Sequence, residues 1–240
     1  MTKKILSIFI LVLSLSPLFS ITDQLKQFET DGWCRLEKVI KDNEDRSIVD
    51  VEYSSYMESD VSHFEKARGE YIYSRYLADN GYKEEAKEHL KQEKTYLDDM
   101  DKTNDIIYMI ARIDYTSSKT YIDKDYLSSG LENSNLVKEA VKKYPEEAYF
   151  IITNGWRLIF TPQIAGGSNK NAIKEMEPLL GSIDTLSLSN VYSLYGALAT
   201  AHFNRKNYEE SSTYLSLALD IYNGEPALME LKKDLEKKLK

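Results

Sequence analysis

Apolar residues recur along this chain at the spacing of an α-helix, and that period decides what the chain can become. Val137, Ala140, Val141 and Tyr144 form one set before Pro145, and Ala172, Ile173, Met176, Leu179 and Leu180 form another. Val191, Leu194, Tyr195, Leu198 and Ala199 repeat the pattern, as do Leu228, Leu231, Leu235 and Leu239. Spacings of i, i+3, i+4 and i+7 gather these side chains on one stripe of a helix, whereas a half-buried strand needs alternation. No stretch alternates convincingly. With only 10 Gly and 5 Pro in 240 residues, a many-turned β-sandwich or barrel is disfavoured, and the expected fold is all-α. The breaks are short: Asn80-Gly81, Tyr144-Pro145 followed by Glu146-Glu147, and the turn between Asn204 and Asn207. Short connections between helices of similar length imply antiparallel neighbours.

Residues 1–20 stand apart. Lys3 and Lys4 precede an apolar run from Ile5 to Val12 that continues through Leu13 and Leu15, and Ser20 supplies a small residue at a plausible cut. The run is shorter than the roughly 20 apolar residues of a membrane-spanning helix, so the pattern reads as a secretory signal peptide. Residues 21–240 are then the mature chain, in the periplasm or secreted; an uncleaved N-terminal anchor is the alternative. Removing Lys3 and Lys4 takes the formal net charge from −8 to −10. Such a chain repels nucleic acid and anionic lipid. Cys34 is the only cysteine, which excludes an internal disulfide and a cysteine-based zinc cluster. Its neighbours Trp33 and Leu36 point to a buried thiol.

Two stretches resemble each other. Tyr195 to Leu219 and Tyr73 to Leu90 both run aromatic helix, tight polar turn, Tyr with two Glu, a small residue, then an apolar residue four positions on. The pattern resembles the tetratricopeptide repeat, in which small residues let two antiparallel helices approach closely. Tyr195, Ala199, Tyr208, Leu215 and Ala218 fall on its positions. Ser211 replaces the usual Ala, and in the earlier copy Glu93 stands where a small residue is expected. The resemblance implies an N-terminal helical part over residues 21–60 and three or four hairpins over 61–240, stacked as a short solenoid or compact array.

A third hairpin joins the apolar helix from Ala148 to Phe160, containing Trp156, to a helix from Ser168 to Leu180. Its connection, Thr161-Pro162-Gln163-Ile164-Ala165-Gly166-Gly167-Ser168, is longer than a standard repeat turn. The run from Trp156 through Ile173 is similar to a feature of exported TPR-like proteins that include the T-component of the tripartite (TRAP) periplasmic transporters of spirochaetes. That likeness implies a periplasmic scaffold whose partner is a solute-binding protein. The lipoprotein cysteine of that component has no counterpart here.

Chemistry-bearing patterns are weak. Gly166-Gly167-Ser168 before a helix offers backbone N–H groups to an anion, but the same residues suit a tight turn and a cap. His63, His89 and His202 lie far apart and form no metal-ligand pair. Counted from Asp99, an EF-hand would need Gly where Asn104 stands and Glu where Ile110 stands. The pairs Glu84-Glu85, Glu146-Glu147 and Glu209-Glu210 sit at helix starts, where the dipole favours negative charge. No catalytic residue, metal or cofactor is assigned. The groove candidates are Tyr71, Tyr76, Trp156, Tyr192 and Tyr195 on first helices of hairpins, with Pro162, Gly166, Gly167 and Ser168 as loop candidates. The expected function is non-catalytic binding of a protein partner. A carrier of a small apolar ligand is the competing reading, and a hydrolytic enzyme stands third. The oligomeric state is not set by the sequence.

Overall fold

Polar caps start several of the helices. Ser62 Oγ accepts from the Glu65 N–H while the Glu65 carboxylate reaches back to the Ser62 N–H, a reciprocal pairing that fixes the start of one helix. Ser187 caps another by accepting from the Asn190 N–H. The computed structural model describes residues 32–42, 44–123 and 126–240, together with the side chains of all but Gly32, Cys34 and Tyr126. The signal-peptide assignment, the start of the mature chain and the state of Cys34 lie outside the described residues.

Eleven α-helices and no strand are found among the described residues. They are α1 (Gly32–Lys41), α2 (Arg46–Glu58), α3 (His63–Asp79), α4 (Lys83–Asp99), α5 (Asp105–Ile122) and α6 (Tyr126–Lys143). There follow α7 (Ala148–Phe160), α8 (Asn169–Met176), α9 (Leu188–Asn204), α10 (Tyr208–Leu219) and α11 (Pro226–Lys238). Short 3-10 turns span Gln163–Ala165 and Glu177–Thr185. The pairs α3–α4, α5–α6, α7–α8 and α9–α10 pack as hairpins. Neighbouring hairpins pack through α3 and α4 on α5, α6 on α7, and α7 and α8 on α9. The fold is an all-α array. The helix expected from Ser168 to Leu180 ends instead at Met176, because Pro178 cannot continue the ladder, and the backbone passes into a 3-10 segment that kinks at Ser182.

The two halves are filled differently. From α7 to α11 one continuous apolar cluster includes Ile152, Met176, Val191, Leu194, Leu198, Leu215 and Leu235. From α2 to α6 the apolar clusters are small and separate, around Leu77, Met109 and Leu97. Buried polar residues lie among them: Glu70, Glu93, Asp114, Thr116 and Ser118.

The first described helix is tied to the last hairpin. The Glu37 carboxylate of α1 accepts from Ser189 Oγ of α9 at 3.0 Å and from the Tyr222 hydroxyl at 2.8 Å. Beside it the Asn223 N–H donates to Asp42 Oδ1 at 2.9 Å and the Gly224 N–H to the Lys41 carbonyl at 3.2 Å. Lys41 Nζ lies 2.9 Å from Glu225. Gly224 permits this approach, since a Cβ there would sit 2.3 Å from the Asp42 carbonyl oxygen. The change Gly224→Ala therefore forces the two segments apart. A loss of about 1–3 kcal/mol in urea unfolding is expected. Gly181→Ala, where an added Cβ meets nothing within 4 Å, is the control and should stay within about 0.5 kcal/mol of wild type.

Candidate functional site

One face of α3 collects the charged side chains that the small apolar clusters leave between them. Arg68 lies there, its Nη1 2.8 Å from Asp114 Oδ2 on α5, with both side chains largely buried. The Tyr149 hydroxyl of α7 donates to the other Asp114 oxygen at 2.5 Å. The Arg68 guanidinium also lies 5.0 Å from the Trp33 ring of α1 and 5.5 Å from that of Tyr149. One ion pair thus touches α1, α3, α5 and α7. Burial alone pushes the Asp114 carboxyl up, and Arg68 and Tyr149 offset part of that push.

Two turns further along α3, Arg75 Nη1 donates to the Tyr71 hydroxyl and to Ser117 Oγ, each at 3.2 Å. The Tyr121 and Tyr71 rings lie 4.8 and 5.6 Å from its guanidinium. Behind this row is Glu93 of α4, only 1% exposed, with Oε2 unpartnered. Burial raises its carboxyl well above the ordinary carboxylate range, and the Asp114 charge adds to the rise.

A second polar group joins α2, α3 and α4. Glu70 accepts from the Tyr53 hydroxyl at 2.8 Å, and its other oxygen lies 2.7 Å from His89 Nδ1. Tyr53 stacks on Tyr73 at 3.9 Å, and the imidazole meets both rings edge-on. A Glu–His pair is the first half of a proton-transfer unit, which needs a nucleophile or substrate group next to the ring. The partners of the His89 ring here are a carboxylate, a phenol and aromatic faces, with no Ser, Thr or Cys among them. No group of three or more metal-ligating side chains occurs among the described residues.

The groove candidates separate. Tyr71 is partly buried and belongs to the Arg75 row. Trp156 is also partly buried; its Nε1–H donates to Ser193 Oγ at 2.9 Å and its ring stacks on Phe160, which is 73% exposed. Tyr76, Tyr192 and Tyr195, expected at a groove, are buried in the helix packing. Tyr76 packs with Val49, Leu77 and Ala86 between α2, α3 and α4. Tyr192 packs against the tilted Tyr222 ring and donates to Glu225, within the closure of α1 on the last hairpin. Tyr195 faces Tyr214 of α10, and burial pushes its hydroxyl up to about 12. An aromatic residue fits an inner helix stripe as well as an outer one, so spacing alone did not separate them.

The loop candidates form a self-contained turn. The N–H groups of Gly166, Gly167 and Ser168 donate to the carbonyls of Gln163, Pro162 and Leu158. Gly166 has φ 92°, and a Cβ on Gly167 would lie 1.6 Å from the Thr161 oxygen. Ser168 Oγ caps α8 by accepting from Asn171. With those donors engaged, the three residues offer no backbone N–H to an anion, while Pro162 is exposed on the outer side of the turn.

Comparison with protein-family models, with curated proteins and with solved structures gives no match.

Two outcomes follow from the geometry. Asp114→Ala leaves Arg68 buried without its counter-charge and should cost about 3–5 kcal/mol. Tyr149→Phe, losing one hydrogen bond to a carboxylate, should cost about 1.5–3 kcal/mol; urea unfolding measures both. The second outcome concerns pH. With its folded-state pKa raised, Glu93 keeps a proton that the unfolded chain has released. Its contribution is full below the ordinary carboxylate pKa and is lost as pH rises through the folded-state value. Glu93→Gln should flatten that decline when Tm is followed from about pH 4 to about pH 8. An unchanged pH profile in Glu93→Gln would show that the carboxyl is not held protonated.

Proposed function

We propose that the chain is a non-catalytic binding protein that docks an extended segment of a protein partner along the row formed by α1, α3, α5 and α7. The observation that carries this reading is the pairing of two partly buried guanidinium groups with aromatic rings. Arg68 lies between Trp33 and Tyr149, and Arg75 between Tyr71 and Tyr121. Arg, Trp and Tyr carry much of the binding energy at protein interfaces. Rings and guanidiniums that already hold one another lose less freedom on binding than free side chains do. Tyr121, at 52% exposure, is the ring most open to a partner.

Two other observations support binding over catalysis. Three acidic or phenolic groups with displaced titration, Asp114, Glu93 and Tyr149, lie inside the helix packing. Two open clefts flank α11. One of about 580 Å³ is lined by Asp42, Met229 and Lys233, and another of about 360 Å³ by Leu215, Leu235 and Leu239. Neither is an enclosed apolar tunnel of the kind a lipid or apolar-ligand carrier needs.

The resemblance to exported TPR-like proteins and the signal-like residues 1–20 support a location in the periplasm or outside the cell. A transporter's solute-binding protein is then the proposed partner.

The test is capture from the envelope fraction of the host, comparing the wild-type mature chain with Tyr121→Ala. Tyr121 lies at the surface, so its removal should leave the thermal unfolding midpoint nearly unchanged. A solute-binding protein recovered in stoichiometric amount by wild type, with affinity about tenfold weaker for the variant, is the expected result. Equal recovery by both chains removes the row from the interface. Recovery of a small apolar molecule alone makes the carrier reading the correct one.

A further inference from the structure

Arg75 is held differently from Arg68. Arg68 is neutralised by Asp114 at 2.8 Å, whereas Arg75 has no ion pair among the described residues and is hydrogen-bonded only to two neutral hydroxyls. Both of those bonds come from Nη1. A guanidinium has five N–H donors in a rigid fork, so the Nε–H and Nη2 edge of Arg75 remains without a partner. That edge is the side-on face that meets a planar two-oxygen acceptor bidentately.

The acids around Arg75 do not fill it. Asp79, one turn along α3, accepts from the Tyr121 hydroxyl. Asp114 is taken by Arg68 and Tyr149. Glu93 is buried, and burial holds its carboxyl toward the neutral form. Burial opposes the charge on Arg75, but Tyr71, Asp79 and Tyr121 more than offset it and raise its pKa. A partly desolvated cation with no ion-pair partner among the described residues attracts an anion more strongly than one in open water.

We propose that Arg75, framed by Tyr71, Ser117 and Tyr121, is a binding site for a single carboxylate. One fork neutralises one charge, and a planar carboxylate lies in the guanidinium plane between the two rings. A phosphate dianion would bring a second negative charge toward Asp79 and Asp114 with no second cation to meet it. The carboxylate comes either from an acidic side chain or chain terminus of a partner protein or from a small organic acid. This inference deepens the docking reading by naming what one position of the row recognises. It nevertheless stands on Arg75 alone and is tested without any partner.

The experiment follows the Arg side-chain Nε–H resonances of the mature chain by NMR. The probes are sodium acetate, an N-acetylated and C-amidated glutamate tripeptide, and inorganic phosphate, with sodium chloride at matched ionic strength. Arg75→Lys keeps the charge and removes the fork; Arg75→Gln removes both. The expected result is a saturable shift of the Arg75 Nε–H with acetate or peptide, and none with phosphate beyond the chloride control. Arg75→Lys, followed through the Tyr121 ring signals, should bind at least about tenfold more weakly. Equal binding of acetate and peptide identifies a small acid as a sufficient ligand; tighter peptide binding identifies a protein segment. Both support the site. No saturable shift with either carboxylate, or undiminished binding in both variants, overturns it. Because the wild-type titration reads Arg75 directly, the result holds even if a variant folds poorly. A positive titration with a failed capture keeps the site and discards the protein partner.

Discussion

The Arg68–Asp114 pair is the contact on which the N-terminal half of the array depends. Taking two charges out of water costs several kcal/mol per ion, and their attraction recovers this only when the remaining donors and acceptors are also used. Here both Asp114 oxygens are used, since Tyr149 donates to the second one, and the Trp33 and Tyr149 rings lie 5.0 and 5.5 Å from the guanidinium. Each of these contacts comes from a different helix or reaches a different one. The pair therefore specifies how α1, α3, α5 and α7 sit together, in a region where the apolar clusters around Met109, Leu77 and Leu97 are too small to do so alone. The C-terminal half has no such need, since Leu194, Leu198 and their neighbours form one continuous core.

Putting charge at the centre has a consequence for the groups nearby. Burial holds Glu93 toward its neutral acid form, and the nearby Asp114 charge adds to that effect. Arg75 in turn is left with neutral hydroxyl partners, one of them the Tyr71 phenol. The ion pair at Arg68 and the unpaired fork at Arg75 are two results of one distribution of charge. Asp114 pairs with Arg68 at 2.8 Å, and Arg75 makes no ion pair among the described residues.

Much of the array is legible in the sequence. Val137 and Ala140 and the stripe of Val191 to Ala199 do become buried helix faces, and the breaks at Gly81, Pro145 and Asn207 do separate helices. Local chemistry fixes those features, so local reading finds them. The charged site was illegible for the opposite reason. Arg68 and Asp114 are 46 residues apart, and each alone reads as a solvated charge on a helix. One signal was available: Glu93 stands where the repeat pattern wants a small residue, and a charged residue at a crossing point must be buried, paired or neutralised. Spacing alone does not separate buried from exposed tyrosines, because tyrosine serves equally well at a buried crossing, as Tyr76 and Tyr195 do, and at a surface, as Tyr121 does.

The closure between α1 and the last hairpin adds a constraint that no hairpin repeat requires. Stacked helical pairs contact only their neighbours, and their ends are free to splay. In this chain Glu37 spans 152 residues to reach Ser189 and 185 to reach Tyr222, while Trp33, one turn earlier on α1, reaches Arg68. The short helix α1 is therefore anchored at both ends, by a guanidinium on α3 and by hydroxyls beside α9 and α10. A change in the spacing between the first and last hairpins has to be transmitted through α1 to Trp33 and the ion pair. The geometry of the aromatic row and the integrity of the closure are coupled through ten residues of helix. That coupling follows from packing alone, whatever occupies the row.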